Sequence, residues 1–177
     1  MGKLLALRKT PAMLSKEQVK DMLKKYDFYC AKSLLAWNYA WSNPQGKGVT
    51  HNYVAQTFHG EKVMLDKTTG LMWQQSGSSN YMVYSDAEKY IRELNNKPFT
   101  DFTNWRLPTL EEAMSLMEPE KQGGLYINLI FDQKQEWIWT ADKYSGSAAW
   151  YVSFSSGRCH RYDVDDFRYV RAVRSWQ

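Results

Sequence analysis

The sequence predicts an α+β domain with a small twisted antiparallel sheet, two mid-chain helices and long loops, preceded by an N-terminal helical extension. Three observations carry this. Capping boxes open at Ser15, Ser85 and Thr109, each ahead of apolar residues at helical spacing. Two short apolar runs flank a turn between Val63 and Trp73, and the C-terminal third alternates with a period of two.

Taken in order, Ser15-Lys-Glu-Gln18 with Val19, Met22, Leu23 and Tyr26 predicts a helix over residues 16–28. An apolar continuation through Leu34, Leu35, Trp37, Tyr39 and Trp41 is expected to pack on the main domain, and the turn-forming stretch 43–48 ends it. Residues 63–73 read as a hairpin in which Gly70 supplies the positive φ. Ser85-Asp-Ala-Glu88 opens a helix ending near Asn95 and Asn96, with Tyr90, Ile91 and Leu94 on one face. Thr109-Leu-Glu-Glu112 opens another, carrying Ala113, Leu116 and Met117 and stopped before Pro119.

Beyond the loop 119–124, strands are expected over 137–140, 150–155 and 169–174. Period two places Trp150, Val152 and Phe154 on a core face and Tyr151, Ser153 and Ser155 on the other. The stretch 158–168 has no apolar period and reads as an ordered surface loop.

The 177 residues fit one domain, and eight Trp with twelve Tyr supply wide packing surfaces with polar tips. The formal charge of +4 is mild, and Asp163, Asp165 and Asp166 interrupt the terminal arginines, which argues against nucleic acid. Cys30 and Cys159, far apart in sequence, read as free thiols and support neither a disulfide scaffold nor a thiolate cluster. The opening MGKLLALRKTPAM has no signal-peptide core and no apolar run reaches membrane-spanning length, so the expectation is a soluble cytoplasmic protein with no membrane partner.

The stretch 151–175 contains no Lys, Glu, Gln, Met or Trp, although all five are common before it. It keeps Arg, His, Asp, Tyr, Ser and Cys. Ordinary solvated loops are richer in Lys and Glu, and this tail has the composition of a paratope, where Tyr and Arg make large contacts and Ser and Gly adapt.

Leu71-Met-Trp-Gln74, Asn104-Trp-Arg-Leu-Pro-Thr109, Ile138-Trp-Thr-Ala141, Trp150-Tyr-Val-Ser-Phe154 and Val170-Arg-Ala-Val-Arg174 occur together in this order. The combination resembles the C-terminal domain of a bacterial collagen-like adhesin, over residues 63–175. The resemblance implies a C-type-lectin-like fold, related to that of formylglycine-generating enzymes. It implies a ligand-binding domain over 63–177 with a variable region at about 144–170, whereas residues 1–62 lie outside the resemblance and are expected to pack on that domain as an extension because Trp37, Tyr39 and Trp41 need covering.

Some members of that family are variable proteins of diversity-generating retroelements, in which template adenines are randomised. Randomising both adenines of the Asn codons AAC or AAT cannot produce Lys, Glu, Gln, Met or Trp, the types missing from the tail. On this reading Trp150, Val152, Phe154, Gly157, Val170 and Ala172 are scaffold. The outward, ligand-binding set is Tyr151, Ser153, Ser155, Ser156, Arg158, His160, Arg161, Tyr162, Asp163, Asp165, Asp166, Phe167, Arg168 and Tyr169.

Other chemistries fit less well. His160 beside Cys159, with Asp163, Asp165 and Asp166, matches neither zinc spacing nor a calcium loop, so no metal and no cofactor are expected. The Glu-Pro-Asn and Gln-Pro-Asp motifs of sugar-binding lectins are absent, and the expected ligand is a protein of unknown identity. Formylglycine-generating enzymes hold copper on paired cysteines, which Cys30, outside the resembling region, and Cys159 do not obviously provide; the expectation is no enzymatic activity. Adjacent Cys159 and His160 on an extended chain also point to opposite faces. The remaining alternative is a fixed-specificity adhesin that holds a polyanionic glycan on Arg158, Arg161, Arg168, Arg171 and Arg174. Oligomeric state is open at this stage.

Overall fold

The computed structural model describes residues 2–33, 41–97 and 99–176. The first helix, α1 (Lys16–Lys25), is closed at its start by the expected capping box, with the Ser15 hydroxyl accepting from the Gln18 amide and Gln18 Oε1 accepting from the Ser15 amide at 2.8 Å. It ends before Phe28 because Asp27 turns to φ +54° and the Phe28 amide reaches back to the Leu23 carbonyl. Val19, Met22 and Leu23 are its buried stripe. Trp41 is buried nearby, whereas Leu34, Leu35, Trp37 and Tyr39 lie outside the described residues.

Four antiparallel strands make one sheet in the order β1 (Tyr53–Phe58), β2 (Glu61–Asp66), β3 (Leu71–Gln74), β7 (Val173–Ser175). The expected hairpin is β2–β3, with Met64 opposite Trp73, Leu65 opposite Met72 and Gly70 at φ +70° in the turn. Strand β1 has no counterpart in the sequence reading. Its inner end is half-buried and its middle is exposed, so it shows no apolar period, and its ladder to β2 defines it.

Helix α2 (Tyr84–Asn96) starts one residue before the expected cap at Ser85, which leaves Ser85 in the first turn and Val83 as a cap without a side-chain bond. Tyr84 explains the shift. Its amide donates to the Val164 carbonyl, its hydroxyl donates to the Thr140 carbonyl and its ring meets Trp139 edge-on, so the helix begins where this residue is anchored. Helix α3 (Leu110–Ser115) keeps its capping box, Thr109 with Glu112, and Glu112 also takes a bidentate pair from Arg106 at 2.7 Å per bond.

A second antiparallel sheet holds β4 (Trp137–Ser145), β5 (Ala148–Ser153) and β6 (Arg158–Asp163) in that order. Strand β6 takes up residues 158–163 of the surface loop expected over 158–168, and the loop itself begins only at residue 164. Six consecutive residues pair with β5, from Ala148 opposite Asp163 to Ser153 opposite Arg158, and these backbone bonds form whatever the side-chain period. The strand expected over 169–174 is shorter: Tyr169 makes a single bridge to Ile138 and regular pairing begins at Val173.

The N-terminal segment closes over both sheets. The Trp150 indole donates to the Leu14 carbonyl at 3.0 Å, and the Leu14 amide to the Lys143 carbonyl at 2.8 Å. Arg8 makes a two-pronged pair with the buried Asp142 carboxylate at 2.8 and 2.6 Å, raising the Arg8 guanidinium above its usual range through that hydrogen bond.

Candidate ligand-binding surface

Directly opposed residues of an antiparallel ladder share a face. Trp139, Tyr151 and His160 therefore stand on one face of the second sheet, with Ile138, Val152 and Cys159 on the other, where Trp150 and Arg161 also oppose each other. Ile138, Val152, Cys159 and Trp150 are fully buried in the main core. This is the core side of the alternation expected from the sequence, and Phe154, Val170 and Ala172 are equally buried.

On the opposite face the side chains form a connected aromatic surface. Tyr151 and His160 stack at 5.4 Å between ring centres. Arg168 lies over Tyr151 at 3.9 Å and reaches Tyr162 at 5.3 Å, while its Nη1 donates to Asp166 at 2.8 Å. Backbone bonds between Arg168 and Met82 at 2.7 and 3.0 Å hold its stem in place. Beside it, Tyr81 meets Phe167 at 6.0 Å and Tyr169 at 5.7 Å, both edge-on, and Tyr169 in turn adjoins Trp137. Tyr162, Phe167 and Tyr81 are 54%, 50% and 56% exposed, among the most exposed large apolar side chains described.

Of the outward set, Ser156, Tyr162, Asp163, Asp165 and Phe167 are exposed. Tyr151, Ser155, His160, Arg161, Asp166, Arg168 and Tyr169 are half-buried. Ser153 and Arg158 are buried, contrary to their expected outward placement. Ser153 is consumed by the turn after β5, its hydroxyl accepting from the Ser156 amide and sharing a bond with Ser155. Arg158, 4% exposed, donates to the Ala31 carbonyl and so ties β6 to the N-terminal segment.

Tyr81 and Trp137 join the surface without having been marked in the sequence. Tyr81 precedes the α2 cap and Trp137 opens a core strand, so neither lay in a stretch of unusual composition. The Met82–Arg168 bridge brings Tyr81 beside the tail, and Trp137 is held there by its pairing with Ser153 and the neighbouring Ile138–Tyr169 bridge.

Burial dominates the electrostatics of this face. Burial, reinforced by Arg158 and Arg168, pushes His160 down from 6.5 to about 4, so the imidazole is neutral near pH 7. Burial raises the Tyr151 phenol, against the opposing pull of Arg168. The terminal arginines do not form a stripe. Arg171 is fully buried against Phe131, Arg174 lies over Phe102 with a bond to Asn104, and Arg161 lies over Tyr144 at 4.0 Å.

The two cysteines, expected to be separate, meet. Both are fully buried in one core cluster, and a hydrogen bond between their side chains lowers the Cys30 thiol while raising that of Cys159 well above its ordinary value. Among the described residues no group of three or more His, Cys, Asp and Glu side chains is gathered to hold a metal, and no helix is long and apolar enough to cross a membrane.

No curated protein matches the chain. Residues 62–174 match the family model described as the Lcl C-terminal domain, a span that runs from β2 into β7 and carries the whole aromatic surface, and the chain belongs to that family.

Proposed function

We propose that the protein is a diversified ligand-binding protein of a diversity-generating retroelement, displaying variable side chains on a fixed C-type-lectin-like scaffold and catalysing nothing. Family membership supports an adhesin-like or variable ligand-binding domain. The observation that carries the finer reading is the division within the tail. Val152, Phe154, Cys159, Val170 and Ala172 are fully buried, while Ser156, Tyr162, Asp163, Asp165 and Phe167, interleaved with them, are exposed and come only from types that adenine randomisation of Asn codons can write.

Recognition would be by a preformed surface. Tyr162, Phe167 and Tyr81 offer rigid aromatic contact at low entropic cost, and Asp163 and Asp165 surround them with carboxylates. This chemistry suits a protein ligand. A polyanionic glycan finds little here, because all five terminal arginines are buried or committed to rings and carboxylates and the exposed charge beside them is acidic. The paired cysteines are the feature that favours an enzyme of the formylglycine-generating type, but both are sealed from solvent and would need opening to meet a substrate.

The test is a displayed library randomised at Ser156, Tyr162, Asp163, Asp165 and Phe167. The expected result is that most members keep the parent's thermal midpoint within a few degrees and that selection against unrelated protein targets returns binders. General loss of folding across the library would overturn the reading.

A further inference from the structure

The chain's only two cysteines come from opposite ends of the sequence and meet in one buried cluster around Trp41, whose carbonyl accepts from the Cys30 thiol at 3.3 Å and whose indole donates to the Cys159 carbonyl at 2.8 Å. We propose that Cys30 and Cys159 are a dithiol that closes to a disulfide, a covalent staple between the N-terminal segment and β6. The backbone on both sides is already in place. The Ala31 amide donates to the Gly157 carbonyl at 2.8 Å, the Trp41 indole donates to the Cys159 carbonyl at 2.8 Å, and the Cys30 amide donates to the Asn43 carbonyl at 3.1 Å. Closure brings the two sulfurs, which share one buried cluster, to bonding distance.

The two thiols are unequal, which sets the order of events. Cys30 is favoured as thiolate by its bond from Cys159 and by the nearby Arg158 charge, so once local opening exposes the buried pair it is the nucleophile toward a small-molecule disulfide such as oxidised glutathione. Its sulfur forms a mixed disulfide and expels one glutathione thiolate. The Cys159 sulfur, after losing its proton to that thiolate or to solvent, attacks Cys30 and expels the second. The dithiol is oxidised, the glutathione disulfide is reduced to two thiols, and electrons balance. A reducing cytosol keeps the pair open and an oxidising compartment closes it. Closure fastens the segment that follows α1 to the strand that carries His160, Arg161 and Tyr162.

The test uses the full reduced, folded chain, incubated with oxidised glutathione, then denatured, alkylated and weighed intact. The expected product has lost two hydrogens, takes no alkyl group, yields one Cys30–Cys159 cross-linked peptide and melts roughly 5–10 °C higher than the reduced chain. Two alkylatable thiols, or a lasting glutathione adduct on the parent chain, would overturn the proposal. Variants check the order: C159A should stop at a glutathione adduct on Cys30 while C30A stays unmodified, and an adduct on Cys159 in C30A would contradict the assignment of the nucleophile.

Discussion

The guanidinium carbon of Arg168 sits 3.9 Å from the centre of the Tyr151 ring, and the same group reaches Tyr162 and pairs with Asp166. With its side chain only 11% exposed, Arg168 positions the surface rather than presenting itself to a ligand. R168A is expected to lose about 1–2 kcal/mol in urea denaturation, from lost ring contact and a loosened Asp166. R168K should recover less than half of that, since a point ammonium cannot replace a planar guanidinium that serves several rings at once. Equal stability of R168A and the parent would remove Arg168 from this role.

The neutral His160 gives a pH signature with a definite sign. Its folded value of about 4 lies below the ordinary 6.5, so the unfolded chain takes up a proton that the folded chain refuses. Stability is therefore level in this contribution above about pH 6.5, falls as pH drops toward 4, and levels off once both states are protonated. H160F keeps the stack on Tyr151 and removes the titration, so the difference in denaturation midpoint between H160F and the parent should grow in the variant's favour across that window. A difference independent of pH would contradict it.

Gly157 closes the turn between β5 and β6 at φ +70°, and a methyl group there would stand 3.0 Å from the Tyr126 ring and 3.2 Å from Tyr29. G157A is expected to cost about 1–3 kcal/mol, from backbone strain and the two ring contacts together. The same substitution at Gly146, whose added methyl meets nothing within 4 Å and whose φ is not positive, should cost well under that. Equilibrium denaturation of the two variants side by side makes the comparison.

Removing the Arg8 side chain should destabilise the protein by about 2 kcal/mol, less than the 3–5 kcal/mol typical of a fully buried pair because Arg8 is itself 26% exposed. Asp142 would keep the amides of Ala12 and Leu110 but lose its counter-charge. R8A D142N should be less destabilised than the sum of the single variants, as expected when both partners of one pair are removed.

Much of this architecture was legible because local chemistry and tertiary packing agree. Ser15 and Thr109 form their capping boxes, Gly70 turns the β2–β3 hairpin, and Trp150, Val152 and Phe154 point into the core as period two requires. Ser85 shows where they disagree: a valid box lost to Tyr84, whose anchoring to Val164 and Thr140 starts the helix earlier. Strand β6 was hidden because Arg158, His160, Arg161 and Tyr162 carry no apolar alternation, and its partner β5 supplies the order. The site was half legible. Composition marked the tail, but which arginine faces inward depends on a contact to Ala31 more than a hundred positions away, and Tyr81 and Trp137 reach the surface through the Met82–Arg168 bridge and the pairing of Trp137 with Ser153, which leave no trace in local sequence.

The gene sequence and its surroundings test the diversification most directly. A near-identical template repeat beside a reverse transcriptase should carry adenines at the codons for Ser156, Arg161, Tyr162, Asp163, Asp165 and Phe167, with Arg161 encoded by CGC or CGT. The buried Trp150 and Gly157 should match the template unchanged. Arg158, fixed inside the core, carries less weight in this test than Arg161. An Arg161 codon of AGA, AGG, CGA or CGG, with no repeat in the genome, would contradict the diversified reading and leave an adhesin-like domain of fixed specificity.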